Sequence, residues 1–284
     1  MSSLSPIPIS QACPRCHGAE ILFTPTAERS LASVCECVAE CQLCHGTGRL
    51  FREKDGALFA ELCGCSSRKR RVELYNRANI PLHFCGKGFG SFQAYESALG
   101  AVRQRVESFA QGYPNFGKGV LLWGRTGTGK THLLTAALQY LTLERGVPAR
   151  YVEFSFLVSE IKEAFMRNVS ALVALAPLAD VEVLAIDELG KGRSTEFERE
   201  TLDELISRRY NANRTTLFAT NFNAAPRKAE PASGGAWSNP LQVAREGLSD
   251  QHLQERIGDR TFSRLAEMAE PIQVNARDRR VPPG

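Results

Sequence analysis

Residues 118–144, KGVLLWGRTGTGKTHLLTAALQYLTLE, restrict the possible folds of this chain more than any other stretch. Val120, Leu121, Leu122 and Trp123 form a short apolar run of the kind a buried strand shows. GRTGTGKT follows, and Leu133, Leu134, Ala137, Leu138 and Leu141 then recur on one helical face. The spacing G-x-x-x-x-G-K-[ST] is complete at Gly124, Gly129, Lys130 and Thr131. Such a strand, loop and helix make a phosphate cradle. The backbone of Gly124, Arg125, Thr126, Gly127, Thr128 and Gly129 can turn its N–H groups inward, and the helix N-terminus adds partial positive charge. Lys130 is placed to reach the β- and γ-phosphates, and the Thr131 hydroxyl to bind Mg2+.

A second half of such a site is expected at VEVLAIDELG, residues 181–190, an apolar strand ending in two carboxylates. Asp187 fits the magnesium shell and Glu188 fits the group that orients or deprotonates an attacking water. No N-K-x-D guanine-reading element follows, which favours adenine and hence ATP. Residues 149–154 form a further strand candidate, with a helix opened by Ser155 whose apolar face is Phe156, Leu157, Ile161 and Phe165. Residues 194–210 read as helix and TTLFAT, residues 215–220, as another buried strand ahead of Asn221. Strands alternating with helices imply an α/β fold, a parallel sheet covered on both faces.

The first quarter follows a different logic. Eight of the nine cysteines lie between Cys13 and Cys65, and a shift of 28 residues superimposes Cys13 on Cys41, Cys16 on Cys44, Cys35 on Cys63 and Cys37 on Cys65. Each copy supplies a C-x-x-C and a C-x-C pair, the four thiolates that a closed tetrahedral zinc site takes, so two Zn2+ per chain are expected. Pairing within or across the copies is open at this point. Asp55-Gly56 suits a tight turn between the pairs of the second copy, giving a short hairpin and hence a small zinc ribbon. So small a region has little core of its own, and the metal would supply most of its folding free energy. The two C-x-x-C-H runs ending at His17 and His45 also fit c-type haem attachment, but haem would leave both C-x-C pairs without a role. Cys85 reads as a buried thiol, and His17, His45 and His83 as surface groups or neighbours of ligands. SSRKRR, residues 66–71, can offset zinc-thiolate charge, contact phosphates or act as a solvated linker.

With these motifs, LAIDELGKGRSTEFERETLDELISRRY, TTLFATNFN and DRTFSRLAEM resemble the AAA+ helicase loaders of the DnaC/DnaI type and their relative IstB, over roughly residues 90–280. The resemblance implies an AAA+ P-loop fold with a small zinc-binding N-terminal domain. It puts a sensor-1 residue at Asn221 and an arginine finger at Arg264, with Arg260 as the alternative; a finger acts on a neighbour's ATP, so self-association follows. A sensor-2 arginine would fall on Arg280, although ARDRR departs from the usual ending. The insertion at residues 225–247 also departs from the pattern and reads as a surface loop containing Trp237. The implied division is residues 1–70 for two four-cysteine modules, 71–96 for a linker and 97–284 for the ATPase domain.

The implied activity is ATP hydrolysis serving DNA replication, with a replicative helicase and single-stranded DNA as partners. The alternatives are a transposase accessory ATPase of the IstB kind and a zinc-dependent nucleotide-binding adaptor without turnover. No run approaches the ~18 apolar residues of a membrane span, and MSSLSPIPIS lacks the features of an export signal. A cytoplasmic protein without membrane contact is therefore expected. The net charge of +4 permits nucleic-acid contact without arguing for it.

Overall fold

In a computed structural model, the described residues are 13–276 except 39, 40, 42, 46, 55, 56, 116 and 226–248. Arg280, the Asp55-Gly56 turn, Trp237 and nearly all of the insertion lie outside them. Five parallel strands carry the architecture: β5 (Gly119–Trp123), β6 (Ala149–Glu153), β7 (Val183–Asp187), β8 (Thr215–Thr220) and β9 (Ala269–Gln273), in the order β9-β5-β8-β7-β6. Every residue of β5 and β7 is buried, so these strands are apolar throughout rather than alternating.

Alternate residues of one strand serve opposite faces. Val120 and Leu122 pack with α2 (Ser97–Gly112) and α3 (Lys130–Leu143), as do Ala185 and Ala219. Leu121, Trp123, Leu184 and Ile186 face the other layer: α4 (Phe154–Met166), α5 (Ala171–Asp180), α6 (Glu196–Asn211), α7 (Leu253–Ile257) and α8 (Asp259–Met268). The expected apolar face of α3 is fully buried, and Thr135, Ala136 and Thr142 on its flanks are buried too. Thr195 caps α6 in a reciprocal arrangement with Glu198, which fixes where the helix starts after the acidic pair.

The helix after β6 corrects its sequence reading. It starts at Phe154, not Ser155, whose hydroxyl bonds Glu153. Leu157, Val158 and Ile161 form the buried stripe, while Phe156 is 65% and Phe165 48% exposed. Only residues turned toward β6 and β7 find a core, and these two aromatics lie beyond that arc.

Ahead of the sheet stand two antiparallel ribbons, β1 (Ile21–Pro25) with β2 (Ser30–Val34), and β3 (Arg49–Lys54) with β4 (Ala57–Leu62). Helix α1 (Gly64–Arg77) follows β4 directly. Residues 71–96 are not a linker. Val72, Tyr75, Ala78, Ile80, Phe89 and Phe92 belong to the same core cluster as Leu133 and Leu138 of α3. The first ribbon joins that cluster through Ala32, with Phe23 and Val34 against it, so it packs as part of the same body as the sheet. SSRKRR forms the opening turns of α1, where Arg68 pairs with Glu20 at 2.7 Å and Lys69 and Arg70 are exposed.

Candidate functional site

The carboxyl ends of β5, β7 and β8 meet at one cavity of about 330 Å³. Its position outside the ends of parallel strands, beside a helix N-terminus, is where α/β sheets bind ligands. The loop after β5 uses its glycines for distinct reasons. Gly124 runs against the Val274 carbonyl, where a Cβ would collide, and Gly129 holds a left-handed φ of 100° immediately before α3. Lys130, 7% exposed, donates from Nζ to the carbonyls of Gly124 at 2.8 Å and Arg125 at 2.6 Å. Thr126, Gly127, Gly129, Lys130 and Thr131 line the cavity on one side, and Asp187, Glu188, Thr220 and Asn221 on the other. The lysine and the acidic pair, more than fifty positions apart in the chain, therefore face one space.

Asp187 is 4% exposed at the end of β7. Burial raises its carboxyl above the usual range, and the Thr131 hydroxyl, the Glu188 N–H, the Tyr151 hydroxyl and the Lys130 charge oppose that. The Glu188 N–H donates to Oδ1 at 2.9 Å, and Tyr151 of β6 donates its hydroxyl to Oδ2 at 2.9 Å. Burial, then the charge of Asp187, pushes the Tyr151 phenol well up, so it remains a donor. Glu188 has φ 50°, uncommon for a residue with a Cβ, and this turns its carboxylate into the cavity mouth. Burial raises Glu188 as well, with further repulsion from Glu153, while Lys191 pairs with it and lies 3.7 Å from Glu153. Thr131 and Asp187 present hard oxygen ligands suited to Mg2+, and Lys130 adds the positive charge a polyphosphate needs. Lys130→Ala is expected to abolish nucleotide binding, and a fluorescent ATP titration with undiminished affinity would contradict that assignment.

Several cavity residues gave no sequence signal. Phe84, Lys87, Gln93 and Tyr95, from the segment read as a linker, line the cavity together with His83, which was read as a surface group or a neighbour of ligands. Phe84 lies 6.0 Å from the His132 ring. Tyr151 resembles any aromatic residue in a strand, and only the three-dimensional neighbour of Asp187 shows its role. As a positioning residue it makes a test possible. Tyr151→Phe removes one hydrogen bond to a charged group, worth about 1.5–3 kcal/mol, and should raise the Mg2+ concentration needed for half-maximal turnover by roughly tenfold. An unshifted Mg2+ titration would reject this role.

Arg264 and Arg260 do not line the cavity of their own chain. Arg264 donates to Asp203 of α6 at 2.9 Å, and Arg260, with its side chain 74% exposed, lies 3.9 Å from the same carboxylate. Both stand on α8, on the layer opposite the first ribbon.

The cysteines close into two groups, Cys13, Cys16, Cys35 and Cys37, and Cys41, Cys44, Cys63 and Cys65, each with its sulfurs within 4.8 Å of one another. Pairing is thus within each copy. The short Sγ separations are 3.9 and 3.6 Å in the first group and 3.6 and 3.3 Å in the second. Tetrahedral zinc with Zn–S near 2.3 Å requires sulfurs ~3.8 Å apart, so both groups fit the ion. Backbone N–H groups of Cys16 and Arg15 bring the Cys13 thiol down to about 7, as metal-ligand knuckles do. His17 and His45 follow the knuckles with φ of 49° and 46°, their N–H groups bonded to the Cys13 and Cys41 carbonyls, and neither joins a ligand group. Cys85 is partly exposed rather than buried.

The family model for IstB-like ATP binding protein matches residues 58–225, more than half of the chain. The chain belongs to that family. The replicative helicase loader DnaC of Escherichia coli strain K12 is 29% identical over 182 residues, covering 60% of this chain and 70% of DnaC. DnaC of Buchnera aphidicola subsp. Baizongia pistaciae is 32% identical over 133 residues, covering 46% of this chain and 52% of that protein. Among solved structures, the DnaC helicase loader aligns with a TM-score of 0.53 at 22% identity, covering 68% of this chain and 99% of that one. DnaI aligns with 0.51 at 23%, covering 70% and 94%. The fold is therefore the AAA+ P-loop fold of the DnaC/DnaI type, and the family is ATP-binding. No helix among the described residues is long and apolar enough to cross a membrane.

Proposed function

We infer that the chain is an ATPase that loads a replicative ring helicase onto single-stranded DNA, in the cytoplasm, using hydrolysis as its switch. The observation that carries this is the convergence of Lys130, Asp187, Glu188 and Asn221 on one cavity in a chain related to helicase loaders. Lys130 and the loop N–H groups bind the triphosphate, Asn221 orients its γ end, and Glu188 accepts the proton of the attacking water. Thr131 and Asp187 would hold Mg2+, which would supply charge neutralisation to the phosphates. Arg264 or Arg260 would complete the charge stabilisation in a neighbouring subunit, and release of the Asp203 ion pair makes Arg264 available for it. Single-stranded DNA binding finds support in Phe156 and Met166, 65% and 78% exposed on a helix that also carries Lys162 and ends at Arg167, though Lys162 lies over the Phe197 ring and Arg167 pairs with Glu163. Two Zn2+ fit the two thiol groups.

Glu188 must be ionised to accept a proton. Because burial raises its pKa, turnover should fall as pH drops through a value above the ordinary glutamate range, and a kcat profile flat down to about pH 4.3 would remove Glu188 as the base. The function itself is tested with the purified replicative helicase of the same source and circular single-stranded DNA. ATP-dependent transfer of the ring onto DNA is expected; failure to bind or transfer the helicase would overturn the reading. The family match favours one competitor, a transposase accessory ATPase, which predicts duplex DNA and transposase binding instead.

A further inference from the structure

Two carboxylates from neighbouring strands crowd the mouth of the cavity, and one lysine stands between them. Glu153 closes β6 beside Asp187, its Cα partner across the parallel pair, and Glu188 is the next residue on. Glu153 is pinned in place, because the Ser155 hydroxyl donates to its Oε1 at 2.6 Å. It lies near enough to Glu188 for the two side chains to meet at hydrogen-bonding range, and like charges that close repel one another. Lys191 answers both. Its ammonium donates to Glu188 Oε2 and stands 3.7 Å from Glu153 Oε1. Each acid of the pair thus has its own lysine, since the Lys130 charge acts on Asp187.

The Lys191 side chain is 57% exposed, and ion pairs at a surface ordinarily contribute little to stability. What matters here is where the lysine is held. The Lys191 N–H donates to the Glu188 carbonyl at 3.0 Å, which closes a tight turn between the two residues. Arg256 of α7 takes the carbonyls on either side of the lysine, donating from Nε to Gly190 at 3.1 Å and from a terminal nitrogen to Gly192. The Arg256 guanidinium itself lies over the Phe222 ring, 5.2 Å from its centroid. Gly190 has a left-handed φ of 82°, and a Cβ there would come within 3.3 Å of Leu253, Phe222 and Arg256. The backbone carrying Lys191 is therefore fixed on both sides, which limits where its ammonium can reach.

We propose, resting on the ATPase reading above, that Lys191 is a positioning residue for hydrolysis: it bridges Glu188 and Glu153, offsets their repulsion and holds the Glu188 carboxylate toward the cavity. With the lysine on Oε2, Oε1 is left to accept from the attacking water. Without it, the pinned Glu153 drives Glu188 off that line, and a displacement of ~1 Å from a productive geometry costs up to about 10²-fold in rate. Lys191 touches no phosphate-loop residue, so its effect falls on the chemical step and not on nucleotide binding.

The test combines steady-state turnover with fluorescent ATP titration on the full zinc-loaded chain. Lys191→Met should lower kcat roughly tenfold or more and leave ATP affinity unchanged. Lys191→Arg should keep most of the parent's turnover, its guanidinium donating to both carboxylates. Glu153→Gln added to Lys191→Met should recover most of the loss, because the amide still accepts from Ser155 and can itself donate to Glu188. A lysine that merely stiffened its loop would not be rescued by a change on β6. Parent-like turnover by Lys191→Met, a fall in turnover accompanied by weaker ATP binding, or no recovery in the double variant each overturns the bridge and leaves the ATPase reading standing. Absence of turnover by the parent chain overturns the ATPase reading, and the positioning role with it.

Discussion

Glu188→Gln is expected to bind ATP as tightly as the parent and to turn it over roughly 10²–10⁴-fold more slowly, the range lost when a positioned general base is removed. The expectation follows from how β7 ends. Asp187 points inward, held by three donors and buried, so it cannot swing to a water without losing them. Glu188, one residue on and in a left-handed backbone conformation, faces the mouth of the cavity instead. Two adjacent carboxylates thus have separate duties set by their surroundings. The amide is the same size and still accepts from Lys191, so the loop geometry should survive. A steady-state assay giving kcat within about threefold of the parent would end the case for Glu188 as base, since loss of a base costs far more.

The second large effect separates the two metal groups. Cys16→Ser should lower the melting temperature of the whole ATPase body and weaken ATP binding, while Cys44→Ser should reduce zinc by one ion and leave both nearly unchanged. A structural zinc contributes apparent free energies of ~10–16 kcal/mol in small modules, so either substitution should unfold its own ribbon. What differs is what each ribbon touches. Ala32, Phe23 and Val34 pack into the cluster that holds α3, and Asn76 and Tyr75 lose partners if β2 leaves. Phe51, Leu58 and Leu62 pack into nothing described. Disruption from the second group should stop near the first turn of α1, since Val72 and Tyr75, which anchor the helix, lie further along. Calorimetric scans with metal analysis give the answer, and equal destabilisation by the two substitutions would refute the assignment of the first ribbon alone to the core.

The chain-local signals were readable from sequence because their physics is local. A phosphate loop needs its glycines and lysine at fixed spacing, and a knuckle needs two cysteines two residues apart. The ends of β5 and β7 could be placed from such patterns, and the repeat bounded the thiol groups while leaving their pairing open; the reading of Asn221 needed the family resemblance. Tyr151 could not, because a hydroxyl reaching Asp187 across neighbouring strands leaves no periodic trace. Lys191 is one more charge in a polar loop until Glu188 is seen to turn toward it. Residues 71–96 were misread because Tyr75, Ile80, Phe89 and Phe92 bury at irregular intervals through short turns, with no repeat to betray a core. Phe156 and Phe165 show the reverse error, where a plausible apolar stripe proved wider than the surface available to cover it. The ribbons share a pattern and differ only in what lies beside them.

Helix α1 has its first turn inside one metal group, through Cys65, and its middle turns wedged between the other ribbon and α3. At about 1.5 Å per residue, its 14 residues make a rod ~21 Å long. No proline or internal glycine interrupts it after Gly64, so it has no joint at which to bend. A tilt of the rod would bear on both of its neighbours, β2 and α3, and α3 opens at Lys130. One uninterrupted helix thus spans from the second thiol group to the packing around α3, so the outer ribbon and the helix that opens at Lys130 share a single unbroken element between them.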